Sequence, residues 1–371
     1  MSSRVTLQTI ADAIGVSRAT VSNAYTRPDQ LSEATRVRVL AAAARLGYHG
    51  PDAAARMLRT GRMRSIGLLF TEDLRYVFTD PDTMLFMQGV AETSALAGSG
   101  LTLLPVPPGM DLADTAVRSV ATDGHLVFSV DDHHPAVAAL VAAGRPMVTV
   151  DEPDLGDRTS FVGIDDRLGA TFAAAHLLEL GHRRLGILLG RLGSGSTTAG
   201  RVDRDRQAGI TIRIAKQRIA GYRDACVAAG TDPDSLVVWA AGGNDPDSAR
   251  TACVELLTSH PDLTGLLCFS DQIAIGAAQA AARLGRTIPD DLSIVGFDDV
   301  PRAAAWDPPL TTVRQPLVDK GRVAADLLLE LIDGRPPRRI ELPIELVVRA
   351  STAPPPTPLP ATPPSPPTPV R

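Results

Sequence analysis

Apolar positions in the first fifty residues recur at the period of a helix, in three short runs separated by polar breaks. Leu7, Ile10, Ala11 and Ile14 follow the i, i+3, i+4, i+7 spacing of one buried face. Thr6 ahead of them and Ser17 after Gly15-Val16 are N-cap types, whose hydroxyls accept hydrogen bonds from unpaired first-turn amides, so each marks a helix start. Gly15 permits the tight reversal between the two helices. The second helix turns Val21 and part of Tyr25 inward. Its other face carries Arg18, Ala19, Ser22 and Asn23, short or hydrogen-bonding side chains able to reach base edges. A third helix is predicted from Ser32, with Val37, Leu40, Ala41 and Ala44 inward. An ordinary three-helix unit with a solvated polar face fits the same pattern.

From residue 65 onward the rhythm changes. Apolar runs at 65–70, 101–106, 126–130 and 146–150 alternate with helical segments at 84–97, 113–121 and 135–143. A second series places strands near 185–189, 236–240, 265–269 and 293–297, with helices at 169–180, 216–229, 247–258 and 272–284. Strand-helix alternation of this kind predicts parallel sheets covered by helices. Two such series predict two lobes with a cleft between them, where ligands sit beyond the carboxyl ends of the strands.

Charge separates the head from the body. Residues 1–64 hold 10 Arg against 4 Asp plus Glu, a net of +6, which leaves −11 for the remainder of a chain whose total is −5. A basic head on an acidic body fits one domain that neutralises phosphates joined to one that does not touch nucleic acid. At 371 residues, 44% hydrophobic and 4% aromatic, the chain suffices for a small head and a two-lobed body with a full core. No stretch reaches the length of a transmembrane helix and the N-terminus lacks a signal peptide's apolar run, so no membrane association and a cytoplasmic location are expected. Cys226, Cys253 and Cys268 are widely spaced in apolar segments without a CxxC pair and are expected to be reduced packing residues. The proline-rich stretch 354–371 has too few apolar residues to pack and is expected to be disordered.

Between head and body runs GPDAAARMLRTGRMR, with Asp52 as a cap, a short helix-forming AAARML and Arg56, Arg59, Arg62 and Arg64 around it. A basic helix this short is expected to fold on DNA, with Leu58 available as an apolar wedge for a minor-groove base step. The segments TIADAIGVSRATVSNAY, LSEATRVRVLAAAARLGY, PDAAARMLRTGRMRSIGLL, VGIDDRLGATFAAAHLLELGHRRLGIL, IPDDLSIVGFDDV and PPLTTVRQPL resemble, in order and spacing, the LacI/GalR family of bacterial transcriptional regulators. The resemblance runs to about residue 353. It implies a small all-α helix-turn-helix DNA-binding head and an α/β body of the periplasmic-binding-protein fold, with two lobes built on doubly wound parallel sheets. It also implies that Leu58 is the hinge leucine and that Arg18 and Ala19 occupy the main base-reading positions. Many relatives carry Arg at Asn23 and Asn at Thr26, so the operator base read there is expected to differ.

The implied organisation is a DNA-binding domain over 1–50, a hinge over 51–64 and an effector-binding and dimerisation domain over 65–353. Its N-lobe spans about 65–163 and 315–342 and its C-lobe about 164–314 and 343–353, with crossings near Gly163, Gln315 and Pro343. The DNA-contacting set expected is Thr6, Ser17, Arg18, Ala19, Thr20, Ser22, Asn23, Arg56 and Leu58.

For the cleft, Asp151 follows the run MVTV, Ser270 and Asp271 follow LLCF, and Asp298 follows SIVGF, all at predicted strand ends. Such carboxylates can each accept two hydroxyl hydrogen bonds and Arg218 can donate in the same cleft, a set suited to a polyhydroxylated ligand. Each Asp also fits a helix cap. By family position Asp151, Arg218, Ser270, Asp298 and Gln315 match effector-pocket sites, with Asn244 beside them, and Tyr76 and Phe78 are placed to stack on the ligand. Ser270 stands where relatives carry Asn, which removes an amide donor.

Catalysis is not expected. GSTTAGRV at 195–202 has the glycine spacing of a phosphate loop, but Arg201 and Val202 stand where Lys and Ser or Thr are required, and the segment is predicted to be a flexible loop. DDHHP, at 131–135, lacks further ligands for a metal. The function predicted is a DNA-binding repressor, dimeric or tetrameric on a palindromic operator and released by a sugar or related polyol, with no cofactor. A purine-responsive co-repressed regulator, and a cytoplasmic sugar-binding or sugar-acting protein with an incidental helical head, are the alternatives.

Overall fold

The computed structural model describes residues 5–48, 50, 61–72, 74–107, 117, 119–132, 134–193 and 195–356. The chain divides into two compact units, Met1–Arg64 and Ser65–Arg371. Arg56, Leu58, most of the helix predicted at 113–121 and most of the proline-rich tail lie outside the described residues.

The first unit contains α1 (Leu7–Ile14), α2 (Arg18–Thr26) and α3 (Glu33–Arg45). Each is capped by a hydroxyl one residue upstream: Thr6 accepts from the Thr9 amide at 3.2 Å, Ser17 from Thr20 at 3.0 Å and Ser32 from Thr35 at 3.3 Å. Gly15 sits at φ +69°, the left-handed conformation that closes α1 and that glycine adopts without steric cost. Ile10, Ala11, Val21, Ala24, Val39, Ala42 and Ala43 form the core.

This corrects the expected inward face of α3. Val37 is 55% exposed and Ala41 and Ala44 are exposed, while Val39, Ala42 and Ala43 are buried. The run VRVLAAAA carries apolar residues at two helical phases. The phase that packs turns Arg38 out to solvent, where its guanidinium donates to the Ile14 carbonyl at 3.2 Å, at the end of α1.

The body is built on two sheets. The first contains β1 (Ser65–Phe70), β2 (Gly100–Pro105), β3 (Gly124–Phe128), β4 (Met147–Val150), β5 (Ser160–Ile164) and β12 (Arg339–Leu342), in the order β12-β5-β4-β3-β1-β2 and parallel throughout. The second contains β6 (Leu185–Leu189), β7 (Gly200–Arg201), β8 (Val237–Ala240), β9 (Gly265–Cys268), β10 (Ser293–Asp298), β11 (Thr311–Arg314) and β13 (Glu345–Val347), in the order β13-β11-β10-β9-β6-β8-β7. Its two edges, β13 and β7, run antiparallel to their neighbours, so this sheet is mixed rather than wholly parallel. β7 also corrects the reading of 195–202 as a loop, since two residues of it pair with β8. A two-residue edge strand leaves no periodicity for a sequence to display.

Helices cover both faces of each sheet. They are α4 (Leu74–Val77), α5 (Pro81–Leu96), α6 (Pro135–Ala143), α7 (Asp166–Glu179), α8 (Arg204–Ala208), α9 (Arg213–Ala228), α10 (Pro246–Ser259), α11 (Asp271–Arg283), α12 (Pro301–Ala305) and α13 (Leu317–Ile332). Burial on both faces explains why strands such as GHLVF and LGILL are apolar without alternation. The chain passes between sheets from β5 into α7, from β11 into α13 and from β12 into β13. α13 packs across β3, β4 and β5 and along α5. The α5–α13 crossing is close enough that a Cβ on Gly89 would fall 1.9 Å from the Val318 carbonyl oxygen, and one on Gly321 would fall 2.1 Å from that of Phe86. Alanine at either position forces the helices apart. No helix among the described residues is long and apolar enough to cross a membrane, and Cys226, Cys253 and Cys268 are buried and unbridged.

Candidate functional site

Two surfaces carry the predicted residues. On the head, Ser17, Arg18 and Ala19 are exposed at the N-terminal end of α2, and Thr20, Ser22 and Asn23 are half-buried along it. Thr6 is exposed, its hydroxyl tied into a reciprocal capping box with Thr9. Ser17 and Thr20 share a 2.8 Å hydroxyl contact, and the Asn23 amide lies 3.5 Å from Gln30 Oε1. Arg18 and Ala19 thus stand exposed to solvent in the first turn of α2.

The second surface is a cleft between the sheets, at the carboxyl ends of their strands, with a cavity volume of about 160 Å³. Tyr76, Asp151, Arg218, Asn244, Ser270, Asp298 and Gln315 all line it. Phe78 does not: it is 55% exposed and stands outside the lining. Side chains two apart on a helical turn diverge, so once Tyr76 faces the cleft and Val77 the core, Phe78 faces solvent.

Two buried cations organise the cleft. Lys320 on α13 is 1% exposed, and its ammonium donates to Asp151 Oδ1 at 2.8 Å and Oδ2 at 2.9 Å and to Gln315 Oε1. Gln315 passes its amide on to Asp298 Oδ1 at 2.7 Å. The chain Asp151–Lys320–Gln315–Asp298 therefore links the ends of β4 and β10, one strand from each sheet. Arg218 on α9 pairs with Asp166 at 2.9 Å, donates to the Phe269 carbonyl, and lies 3.4 Å from the Phe297 ring centroid and 4.7 Å from that of Phe269. A guanidinium so held offers a planar donor edge in a fixed place.

On the third side, Asn244 donates to the Tyr76 hydroxyl at 3.2 Å and accepts from Ser270 Oγ at 2.6 Å. Ser270 also caps α11, accepting from the Ile273 amide at 3.2 Å. Its hydroxyl is committed to Asn244, whose amide in turn is held against the Tyr76 hydroxyl. The backbone at these strand ends is unusual as well: Ser129, Asp151, Asp298 and Asp299 all have positive φ, a region that non-glycine residues seldom enter and that recurs at binding sites.

Glu72, Asp80, Asp82, Asp131, Glu152 and Arg191 also line the cleft. Asp80 caps α5, taking the Thr83 amide at 3.1 Å. Asp82 Oδ1 is buried and has no hydrogen-bond partner among the described residues. Burial, with Asp80 next to it, pushes the Asp82 carboxyl up to about 7. Burial raises Glu152 to about 8, and burial together with Asp82 holds Asp298 well above the usual carboxylate range. A Pro at the first helical position after an Asp, as in Asp80-Pro81, is a helix-start signature that marks this corner. Lys320 had a signal too. Of 37 Lys plus Arg only two are Lys, so a Lys on an otherwise apolar helical face is conspicuous. From the DDHHP run, Asp131 faces the cleft, His134 caps α6 by accepting from the Ala136 amide at 3.2 Å, and His133 is not described. Among the described residues no group of three or more acidic, His or Cys side chains is arranged to hold a metal.

The head and body match separate family models. Residues 6–51 match the lacI family of bacterial regulatory proteins, and residues 174–352 the periplasmic binding protein-like domain. An HTH-type transcriptional regulator of Mycobacterium tuberculosis is 42% identical over 95% of this chain and 98% of its own length. The chain belongs to the LacI family. It is accordingly a DNA-binding transcriptional regulator and not an enzyme. The HTH-type transcriptional regulator IpsA of Corynebacterium glutamicum is 39% identical over 88% of this chain and 91% of its own length. Among solved LacI-family structures, the lac repressor dimer bound to operator and the anti-inducer ONPF superposes with a TM-score of 0.76 at 25% identity, covering 95% of this chain and all of that one. The CelR–cellobiose complex superposes with a TM-score of 0.67 at 30% identity, covering 94% of this chain and 100% of the other.

Proposed function

We propose that the chain is a repressor that binds a pseudo-palindromic operator as a homodimer and is released when an uncharged, hydroxyl-rich small molecule occupies the cleft. The observation that carries the ligand class is the cleft's charge: Glu72, Asp80, Asp82, Asp131, Asp151, Glu152 and Asp298 line it against Arg191 and Arg218. Carboxyl groups, ionised or held protonated by burial as at Asp82 and Glu152, exchange hydrogen bonds with sugar hydroxyls, and both lining arginines are already paired, Arg191 with Glu72 and Arg218 with Asp166, so neutral sugars fit better than phosphorylated or carboxylated ones. In this reading the head reaches the major groove through Arg18 and Ala19, while Arg56 and Leu58 form the hinge contact in the minor groove. Residues 1–50 form the DNA-binding domain, 51–64 the hinge and 65–353 the cytoplasmic protein's ligand-binding and pairing domain. A ligand that binds one lobe arrangement better than the other shifts the population able to bind DNA.

CelR, solved with cellobiose, and the lac repressor, solved on its operator, support this reading by kinship. The test is a gel shift on the DNA upstream of the protein's own gene, titrated with neutral sugars, sugar phosphates and purine bases. Retardation relieved only by a neutral sugar is the expected result. Retardation that survives deletion of residues 1–60, or that a purine strengthens, overturns it.

A further inference from the structure

Within the second sheet one connection is out of scale. β9 reaches α11 through two residues and β8 reaches α10 through five, but β6 and α9 are separated by the 23 residues 190–212. Strand-to-helix loops in such sheets usually take about 2–6 residues, and this one is long enough to hold β7 and α8. Its far end is pinned to the second lobe. β7 pairs with β8, the Val202 amide donates to the Val238 carbonyl at 2.9 Å, and Val202 and Ile210 are each 2% exposed within that lobe's core. Its neck is closed by the Thr211 amide, which donates to the Leu192 carbonyl at 2.9 Å. Gly193 allows this closure, because a Cβ there would fall 2.7 Å from Thr211 Oγ1.

From that neck two side-chain contacts cross to the first lobe, and Arg213, the first residue of α9, adds a third. Arg191 pairs with Glu72, the Thr211 hydroxyl donates to Asp131, and the Arg213 amide donates to Glu152 Oε2 at 2.7 Å. Glu72, Asp131 and Glu152 stand just past the ends of β1, β3 and β4, three adjacent strands of the first sheet. Arg191, Gly193 and Ile212 meanwhile form part of the cleft wall. We infer that the 190–212 connection, together with Arg213 that follows it, is a latch: anchored in the second lobe, it grips three neighbouring strand ends of the first and holds the two lobes together across the cleft. Its grip uses three of the carboxylates that line the cleft, so the lobes are held by the same groups a hydroxyl-rich ligand would meet. The latch needs neither DNA nor ligand to be observed, so its failure leaves the repressor reading standing.

The experiment is hydrogen exchange on the full-length, ligand-free protein carrying R191Q and T211V together. Amides at 70–74 and 129–133 are expected to exchange about tenfold faster than in the parent, while the interiors of β8–β10 keep parent rates. T211S, which keeps the hydroxyl, retains the parent rate. So does R204A, which breaks a contact of the connection with Asp234 in its own lobe. Parent rates at 70–74 and 129–133 in the double variant, or equal acceleration in R204A, overturn the latch. If the β8–β10 interiors also accelerate, the double variant has lost its fold and T211V alone is read against the same two outcomes.

Discussion

The head and the cleft hold their candidate binding side chains by opposite means. On the head, Ser17, Arg18 and Ala19 are exposed, their placement set by caps and turns within a few residues. In the cleft Arg218 is 4% exposed and Asp298 6%, and each is held by partners from distant parts of the chain. Arg18 and Ala19, exposed and outside the cap itself, leave the fold indifferent to their identity. Buried charges couple the site to stability, because a charge taken out of water must find its partner inside. Mutation should therefore separate the two surfaces: function without stability on one, both together on the other.

The largest effect is expected at Lys320. Lys320→Met leaves Asp151 buried without its cation and should cost about 3–5 kcal/mol in a urea melt of the full chain; a loss below 1 kcal/mol would erase the contrast. Arg18→Ala should leave that melt unchanged and weaken operator binding by about 1–3 kcal/mol, read by fluorescence anisotropy at fixed salt. A melt that moves with Arg18 breaks the comparison from the other side.

The pH dependence sharpens it. Asp82 is raised from 3.8 to about 7 and Glu152 from 4.5 to about 8, so in the window above pH 4 the folded chain keeps protons that the unfolded chain has released. Their stabilising contribution is fully present below about pH 4 and is lost as pH rises through 7 and 8. Asp82→Asn abolishes its share of that loss and should make the body about 1–2 kcal/mol more stable than the parent at pH 8, with a smaller gain at pH 5. Equal pH profiles would mean Asp82 is solvated. His125 runs the other way. Burial, with Arg145 nearby, lowers it to about 4, so acid below its unfolded value of 6.5 destabilises the first lobe. The smallest effect is Ser17→Ala, about 1 kcal/mol from the lost cap, visible as faster amide exchange in α2 while the body is unaffected.

Legibility in the sequence followed the same division. Caps at Thr6, Ser17 and Ser32 act over three residues, and each closes in the structure as its position implied. The strand-helix rhythm placed β1, α6 and β6 within a residue or two, since burial of both faces makes long apolar runs. The phase of α3 was not legible, because an alanine-rich run packs equally well by composition at two phases and only the neighbours choose. Phe78 was misplaced because one residue of helical rotation decides between cleft and solvent. β7, β12 and β13 are too short or too polar to carry a period.

Order, spacing and local chemistry in the chain were enough to determine a capped helical head, two helix-covered sheets and a set of polar strand ends, because each depends on residues close together in sequence. Tertiary structure alone decided that Lys320 balances Asp151, that Asn244 bridges Tyr76 and Ser270, and that Arg191, Thr211 and Arg213 meet Glu72, Asp131 and Glu152 of the other lobe. Those contacts join residues up to 169 positions apart, and whether a charge is paired or stranded depends on what the fold buries beside it.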